Sequence, residues 1–233
     1  MTEDQALVQQ PQQQPDMAGA GPGSGPGPGP GPGGPPNVGL HPVHLVMPFP
    51  REFNRTQALL FTFLMPVGMI LMIPHFFLML VFGLCMGFIN LLSFFVILFT
   101  GRYPAGWWEF MRKVVRYAIR IATYTNVLSV GYPSFSLADD TYPVDIQMPY
   151  PERSSRFWLF FAGIAIIPVA IVNAVLNIAA SVLSFLGSFA ILFTGSMPVG
   201  WFEFIRKVWQ QRVRMLCFQY WLRNEYPPFG LDD

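Results

Sequence analysis

The sequence predicts an all-α membrane protein of two tandem units. Each unit is read as a transmembrane helical hairpin followed by an in-plane amphipathic helix, with a short extended segment ahead of each hairpin. Three observations lead there. Only 12% of the 233 residues are charged, about half the share of a soluble domain, and 52% are hydrophobic. Two stretches of 46 residues, between Arg55 and Arg102 and between Arg156 and Glu203, contain no Asp, Glu, Lys or Arg. The chain also repeats itself. This composition excludes an ordinary cytosolic globule, a nucleic-acid binder built on a basic surface and a charge-rich disordered chain. With 14 Lys and Arg against 13 Asp and Glu, bulk charge names no partner. Cys85 and Cys217 have no paired spacing, so neither a disulfide framework nor a zinc site is expected.

Residues 1–46 contain 20 Gly or Pro and six Gln. Gly and Pro alternate with a period of two, which cannot build a collagen helix. The segment lacks the apolar surface that would offset its ordering entropy, so 1–40 is read as a disordered tail. Arg51 is the first basic residue, and no signal peptide is expected. The units then run over 41–137 and 142–233, with a polar joint at 138–141.

The repeat has two registers. Pro42-Val43 to Pro50 returns as Pro143-Val144 to Pro151, and Ile73–Leu137 returns as Ile167–Leu231. Over 97–137 and 191–231, 19 of 41 positions are identical. The first copy carries seven extra residues between the registers. Prolines flank apolar and β-branched residues at 42–48 and 143–149, and the residue before a proline favours extended geometry. These two segments are read as strands able to pair with each other.

A membrane helix needs about 20 apolar residues. A 46-residue helix would be about 69 Å long, so two arms and a turn are expected in each stretch. The turns are expected near Gly83–Gly87 and Asn177–Ser181, with Pro74 and Pro168 as kinks. Four membrane segments then keep every Lys and Arg on one side, and both termini face the cytoplasm of a cell-membrane protein. Gly83, Gly87 and Asn90, with Asn173, Asn177 and Ser181, follow helical spacing and are helix-packing candidates. Ser184 and Ser188 continue that stripe, which would alternatively line a polar transport path.

Thr100-Gly101 and Thr194-Gly195 read as helix ends. Beyond them, Glu109, Arg112, Lys113, Arg116 and Arg120 share one face of an amphipathic helix. Glu203, Arg206, Lys207, Gln210 and Arg214 repeat it. Such a helix suits the membrane plane, with basic residues at anionic headgroups and Trp at the interface. The lipid-interface candidates are therefore Arg102, Trp107, Trp108, Arg112, Lys113, Arg116, Arg120, Trp201, Arg206, Lys207 and Arg214. Glu109 precedes Arg112 and Lys113 by three and four residues and is expected to pair with them.

The segment Leu98-Phe-Thr-Gly-Arg-Tyr-Pro104, the Ile73-Pro74-His75 box and the Tyr132-Pro133-Ser-Phe-Ser-Leu137 ending resemble an uncharacterised prokaryotic membrane-protein family, domain of unknown function 4389. The resemblance covers about 40–137 and, more loosely, 142–231. In the second copy Val169 replaces His75, and Ser196-Met197 replaces Arg102-Tyr103. A role needing those residues would belong to the first copy alone. The resemblance implies an architecture and brings no activity or cofactor.

No catalytic constellation, phosphate-cradling loop or nucleotide fingerprint stands out. No cofactor and no metal site is expected. His75 is read as a buried or interfacial histidine bonded to a backbone carbonyl. The expected role is non-enzymatic: membrane organisation, interaction with anionic lipids, or service to a membrane complex as a homo-oligomer or with another membrane protein. A subunit of an oligomeric transporter or channel is the alternative. A lipid-modifying enzyme using His75 and Glu109 is a third reading.

Overall fold

In a computed structural model of the chain, residues 41–138 and 142–231 are described. The tail at 1–40 and most of the joint lie outside them. In the first repeat, strand β1 (His44–Val46) precedes α1 (Arg55–Ala58). The Asn54 side chain caps α1 by accepting from the N–H groups of Thr56 and Gln57. The helix widens into a π-helical turn at Leu59–Phe63 and ends at Leu64, whose φ of −103° and ψ of 42° are not helical. α2 (Met65–Thr100) then runs unbroken for 36 residues, and α3 (Ala105–Thr125) follows. The second repeat gives β2 (Asp145–Gln147), α4 (Arg156–Ala165), α5 (Ile167–Thr194) and α6 (Val199–Gln219).

The expected equal-armed hairpins are corrected by this arrangement. Residues 83–87 and 177–181 lie inside continuous helix. Two glycines cost a helix about 1 kcal/mol each and do not end it, whereas an unbroken helix satisfies every backbone group of an apolar stretch. The chain bends instead at Leu64 and at Ile166. Pro66 and Pro168 follow, each in the first turn of the long helix, where a missing N–H is harmless. Pro66 thus takes the first-turn place that Pro168 holds, while Pro74, the sequence equivalent of Pro168, stays inside α2. α2 has 36 residues against the 28 of α5, a difference of about two turns. That near-whole number keeps the buried stripe of α2 on one face.

Gly101 and Gly195 end the long helices as expected. Their φ values are 70° and 83°, and their N–H groups bond the Ile97 and Ile191 carbonyls. The reversal lays α3 back along α2 and α6 back along α5. Met72 packs with Tyr117, Ile121 and Tyr124. Phe82 meets Tyr117 and Phe110 with ring centroids 5.5 and 6.5 Å apart. α5 buries Ala180, Ser184, Gly187 and Ser188. There a side chain on Gly187 would run into the Met197 methyl.

β1 and β2 pair antiparallel, as read from the Pro-Val segments, with Leu45 opposite Ile146. These two residues are equivalents in the repeat, so a local twofold axis passes between them. Each strand segment sits on a helix of the other repeat, β1 on α6 and β2 on α3. Arg120 Nε donates to the Val144 carbonyl at 2.9 Å, and Arg214 Nε donates to the Val43 carbonyl at 3.3 Å. Gln210 Nε2 also donates to Val43, at 2.6 Å, and its Oε1 accepts from the Leu45 N–H. Arg116 faces Asp145 at 3.4 Å.

The short arms are exchanged too. The Ser154 N–H bonds the Gly101 carbonyl at 3.0 Å, and Arg156 reaches the Phe99 carbonyl at 3.4 Å. Arg55 lies against Gly195 in the same way.

Arg214 is only 2% exposed. Arg214→Ala removes a charged donor from a buried carbonyl and is expected to cost about 1.5–3 kcal/mol. Thermal unfolding of the full chain in detergent measures this, and an unchanged melting temperature would mean that the crossing adds no stability.

Candidate functional site

The candidate functional surface is the outside of the long helices. α2 and α5 are each long and apolar enough to cross a membrane. Only 17% and 22% of their most apolar windows are buried, where a core helix of a soluble protein would be mostly covered. Ile70, Phe77, Leu84, Leu91 and Phe99 on α2, with Ile171, Ile178 and Phe193 on α5, are exposed. Contiguous apolar exposure of this extent marks a membrane or protein interface.

The interface candidates divide on their burial. Arg102 is exposed, while Trp107, Trp201, Arg112, Lys113, Arg206 and Lys207 are half-buried along the polar edge. Trp108, Arg116, Arg120 and Arg214 are buried inside the chain, which removes them from contact with headgroups. The Trp108 indole donates to the Leu222 carbonyl at 3.1 Å. Arg116 donates to the Leu137 and Ala138 carbonyls at 2.9 and 3.2 Å. Arg120 lies over the Tyr142 ring. These groups hold the strand segments and the chain after α3 and after α6. Helical periodicity identified the polar face of α3 but gave no sign that another part of the same chain covers it.

Glu109 pairs with Arg112 through bonds of 2.7 and 2.9 Å and approaches Lys113 at 3.4 Å. The Arg112 bond, against a partial burial penalty, holds the carboxyl below its usual range. Glu203 repeats the pairing with Arg206 at 2.8 Å.

The packing candidates divide as well. Asn173 is buried, Asn177 and Asn90 are half-buried and Ser181 is exposed. Asn177 Nδ2 donates to the Asn173 carbonyl at 2.9 Å, and Ser188 donates to Ser184 at 3.0 Å. The stripe thus spends much of its hydrogen bonding within its own helix. Gly83 and Gly87 are exposed, with open space where a side chain would stand, so they support no close packing inside the chain.

His75 is fully buried, and its partner is a hydroxyl where a backbone carbonyl was expected. Nδ1 lies 2.7 Å from Tyr117 Oη. The ring stacks on Phe135 at 4.4 Å and lies 4.9 Å from Tyr132. Burial and then the neighbouring Tyr132 push the Tyr117 hydroxyl up to about 12, so it keeps its proton at neutral pH. Glu109 is bound to Arg112, which reaches toward the Ile146 carbonyl on the ribbon. His75 and Glu109 therefore attend to different faces of α3 and do not meet. Among the described residues, no three His, Cys, Asp or Glu side chains gather to hold a metal.

The architecture is thus a mostly helical tandem repeat with two long apolar helices. A family model described as a domain of unknown function, DUF4389, matches residues 67–136 and 157–230, and the chain belongs to that family in two tandem copies. No curated protein and no solved structure matches it.

His41, beside Arg214, ties stability to pH. Its ring accepts from the Val43 N–H at 3.3 Å. Burial, and then the Arg214 charge, lower its pKa to about 4 from 6.5. The unfolded chain therefore binds this proton more readily. The neutral ring's contribution is full above pH 6.5 and is lost progressively as pH falls toward 4. Unfolding measured from pH 7 to 4 should show that decline, and His41→Gln should flatten it. An equal slope in the variant would assign the decline to other groups.

Proposed function

We propose that the chain is a non-enzymatic membrane protein that interacts with and organises lipid from one face of the bilayer. In this reading α2 and α5 lie submerged along the membrane plane. The supporting observation is the packing of α3 along the middle of α2. The His75–Tyr117 and Phe82–Phe110 contacts set Glu109, Arg112 and Lys113 beside the centre of the long helix. Were α2 to cross the bilayer, those charges and the Asp145 end of the ribbon would sit near the midplane, where each charge is costly.

With the twofold axis along the membrane normal the conflict disappears. The exposed apolar faces enter the acyl region, and the ribbon and the Glu109 and Glu203 pairs face water. Arg102, Lys113, Arg206 and Lys207 are near enough to anionic headgroups to add about 1 kcal/mol each. Both termini then share one side, and the positive-inside rule assigns it to the cytoplasm. The Asn173 stripe, bonded within its own helix and packed in the chain, gives a transport path little support.

Depth measurement tests this reading. Single spin labels at Ile70, Leu80, Leu91 and Phe99 in reconstituted protein are expected to report similar depths. A crossing helix would give shallow ends and a deep centre, with 70 and 99 reached from opposite sides. That profile would overturn the in-plane arrangement.

A further inference from the structure

We propose that the corner where the second repeat's short arm meets the end of α2 binds one anionic phospholipid, whose headgroup phosphodiester is held by Arg102, Arg153 and Arg156. The lipid as occupant rests on the membrane reading above. Backbone bonds build the corner. The Ser154 N–H bonds the Gly101 carbonyl at 3.0 Å, which fastens the chain ahead of α4 to the turn after α2. Asn224 fixes the same chain, donating to the Arg153 carbonyl at 2.6 Å and accepting from the Ser155 N–H at 2.9 Å. Residues 102 and 153 flank the bond between 101 and 154, so their side chains leave from neighbouring points of one fixed frame. Arg156, the first residue of α4, lies across the turn. Its Nη2 reaches the Phe99 carbonyl at 3.4 Å and stands 3.7 Å from where a side chain on Gly101 would begin.

The charges of this corner select an anion. Arg102, Arg153 and Arg156 are all exposed. Among the described residues, none of the three pairs with a carboxylate. Glu225, next to Asn224, is taken up by Arg223. Glu152 offsets only one of the three positive charges. A guanidinium fork matches two oxygens of a phosphate. A zwitterionic head would bring its ammonium against the same arginines, so a head of net negative charge is favoured. The apolar surroundings select a lipid over a free phosphate. Phe99, in the last turn of α2, is 77% exposed, and Phe157 and Phe160, at the start of α4, are 59% and 58% exposed. Acyl chains cover such rings, and an inorganic ion does not.

The other repeat supplies a comparison within the molecule. Arg55 lies against Gly195 as Arg156 lies against Gly101. Ser196 stands there in place of Arg102, and Arg51-Glu52 stands in place of Glu152-Arg153. The residues equivalent to Arg102 and Arg153 are thus a hydroxyl and a carboxylate. One bound lipid per chain is therefore expected, where equivalent corners would hold two.

The test uses the full chain purified in detergent. It is offered equal phosphatidylglycerol and phosphatidylcholine in mixed micelles, and co-purified lipid is counted by native mass spectrometry. One phosphatidylglycerol per chain is expected, retained roughly tenfold or more over phosphatidylcholine. Arg102→Ser with Arg153→Gln should abolish that preference at an unchanged melting temperature, since the bonds that build the corner use the backbone at 101 and 153. Arg153→Gln alone should weaken it and covers the case in which the double variant fails to fold. Lys113→Gln with Lys207→Gln removes the same charge elsewhere and should leave the preference in place. Equal retention of the two lipids by the natural chain would overturn the proposal. So would a preference that survives Arg102→Ser with Arg153→Gln, or one lost equally in both double variants, which would mark diffuse attraction without a site. Flotation with phosphatidylcholine vesicles tests the membrane reading separately. A chain that floats and shows no lipid preference keeps that reading and loses the corner. A chain that ignores vesicles yet binds soluble glycerophosphoglycerol in calorimetry loses the lipid as occupant, and the membrane reading with it.

Discussion

The fold depends on two arginine side chains that each reach across the repeat boundary to the carbonyl just before a strand. Arg120 holds Val144, and Arg214 holds Val43. A three-residue ribbon has too few bonds of its own to persist. It is held in place because charged donors on two helices bind the carbonyls that lead into its strands. The same bonds explain why guanidinium groups that are 2–3% exposed are tolerated inside the chain: each is hydrogen-bonded to backbone oxygen. α3 and α6 are consequently two-sided elements, apolar toward the long helices and polar toward the ribbon.

The two repeats meet similar steric demands with different chemistry. The Arg116–Asp145 pair of the first repeat has a neutral counterpart in the second, where Gln210 bonds both Val43 and Leu45. His75 and Tyr117 form a buried polar contact, whereas Val169 and Gln211 stand at the matching positions, and Gln211 turns to the Pro228 carbonyl at 2.9 Å. Buried polar groups are hydrogen-bonded in each case, which is the requirement that low-dielectric surroundings impose. Within that requirement the copies have diverged.

Much of this order was legible in the residues. The repeat, the left-handed glycines after the Leu-Phe-Thr runs, the Glu109–Arg112 pairing and the ribbon strands are local features, set by spacing and backbone preference. The bend position was not legible. Pro66 and Pro74 both lie near the start of the apolar stretch, and the chain bends at Leu64 ahead of Pro66 while Pro74 stays helical. The burial of Arg116, Arg120 and Arg214 was equally hidden, since a basic stripe has the same periodicity whether lipid or protein covers it. Gln57 shows the limit most clearly. In sequence it is an isolated polar residue at the edge of an apolar stretch, yet its amide donates to the Tyr124 and Ser129 carbonyls at 2.7 and 3.0 Å.

The exchanged strands have a consequence for assembly. A polypeptide with only one copy of this unit would have no second helix on which to lay its strand and no second helix end to receive its short arm. It would meet those needs only from another molecule, in a twofold pair whose population falls on dilution. Joining the copies in one chain turns that encounter into an intramolecular event at high effective concentration. Fusion also removes the obligation of symmetry: a substitution now alters one half alone, so Gln210 bonds the ribbon where its equivalent Arg116 pairs with Asp145.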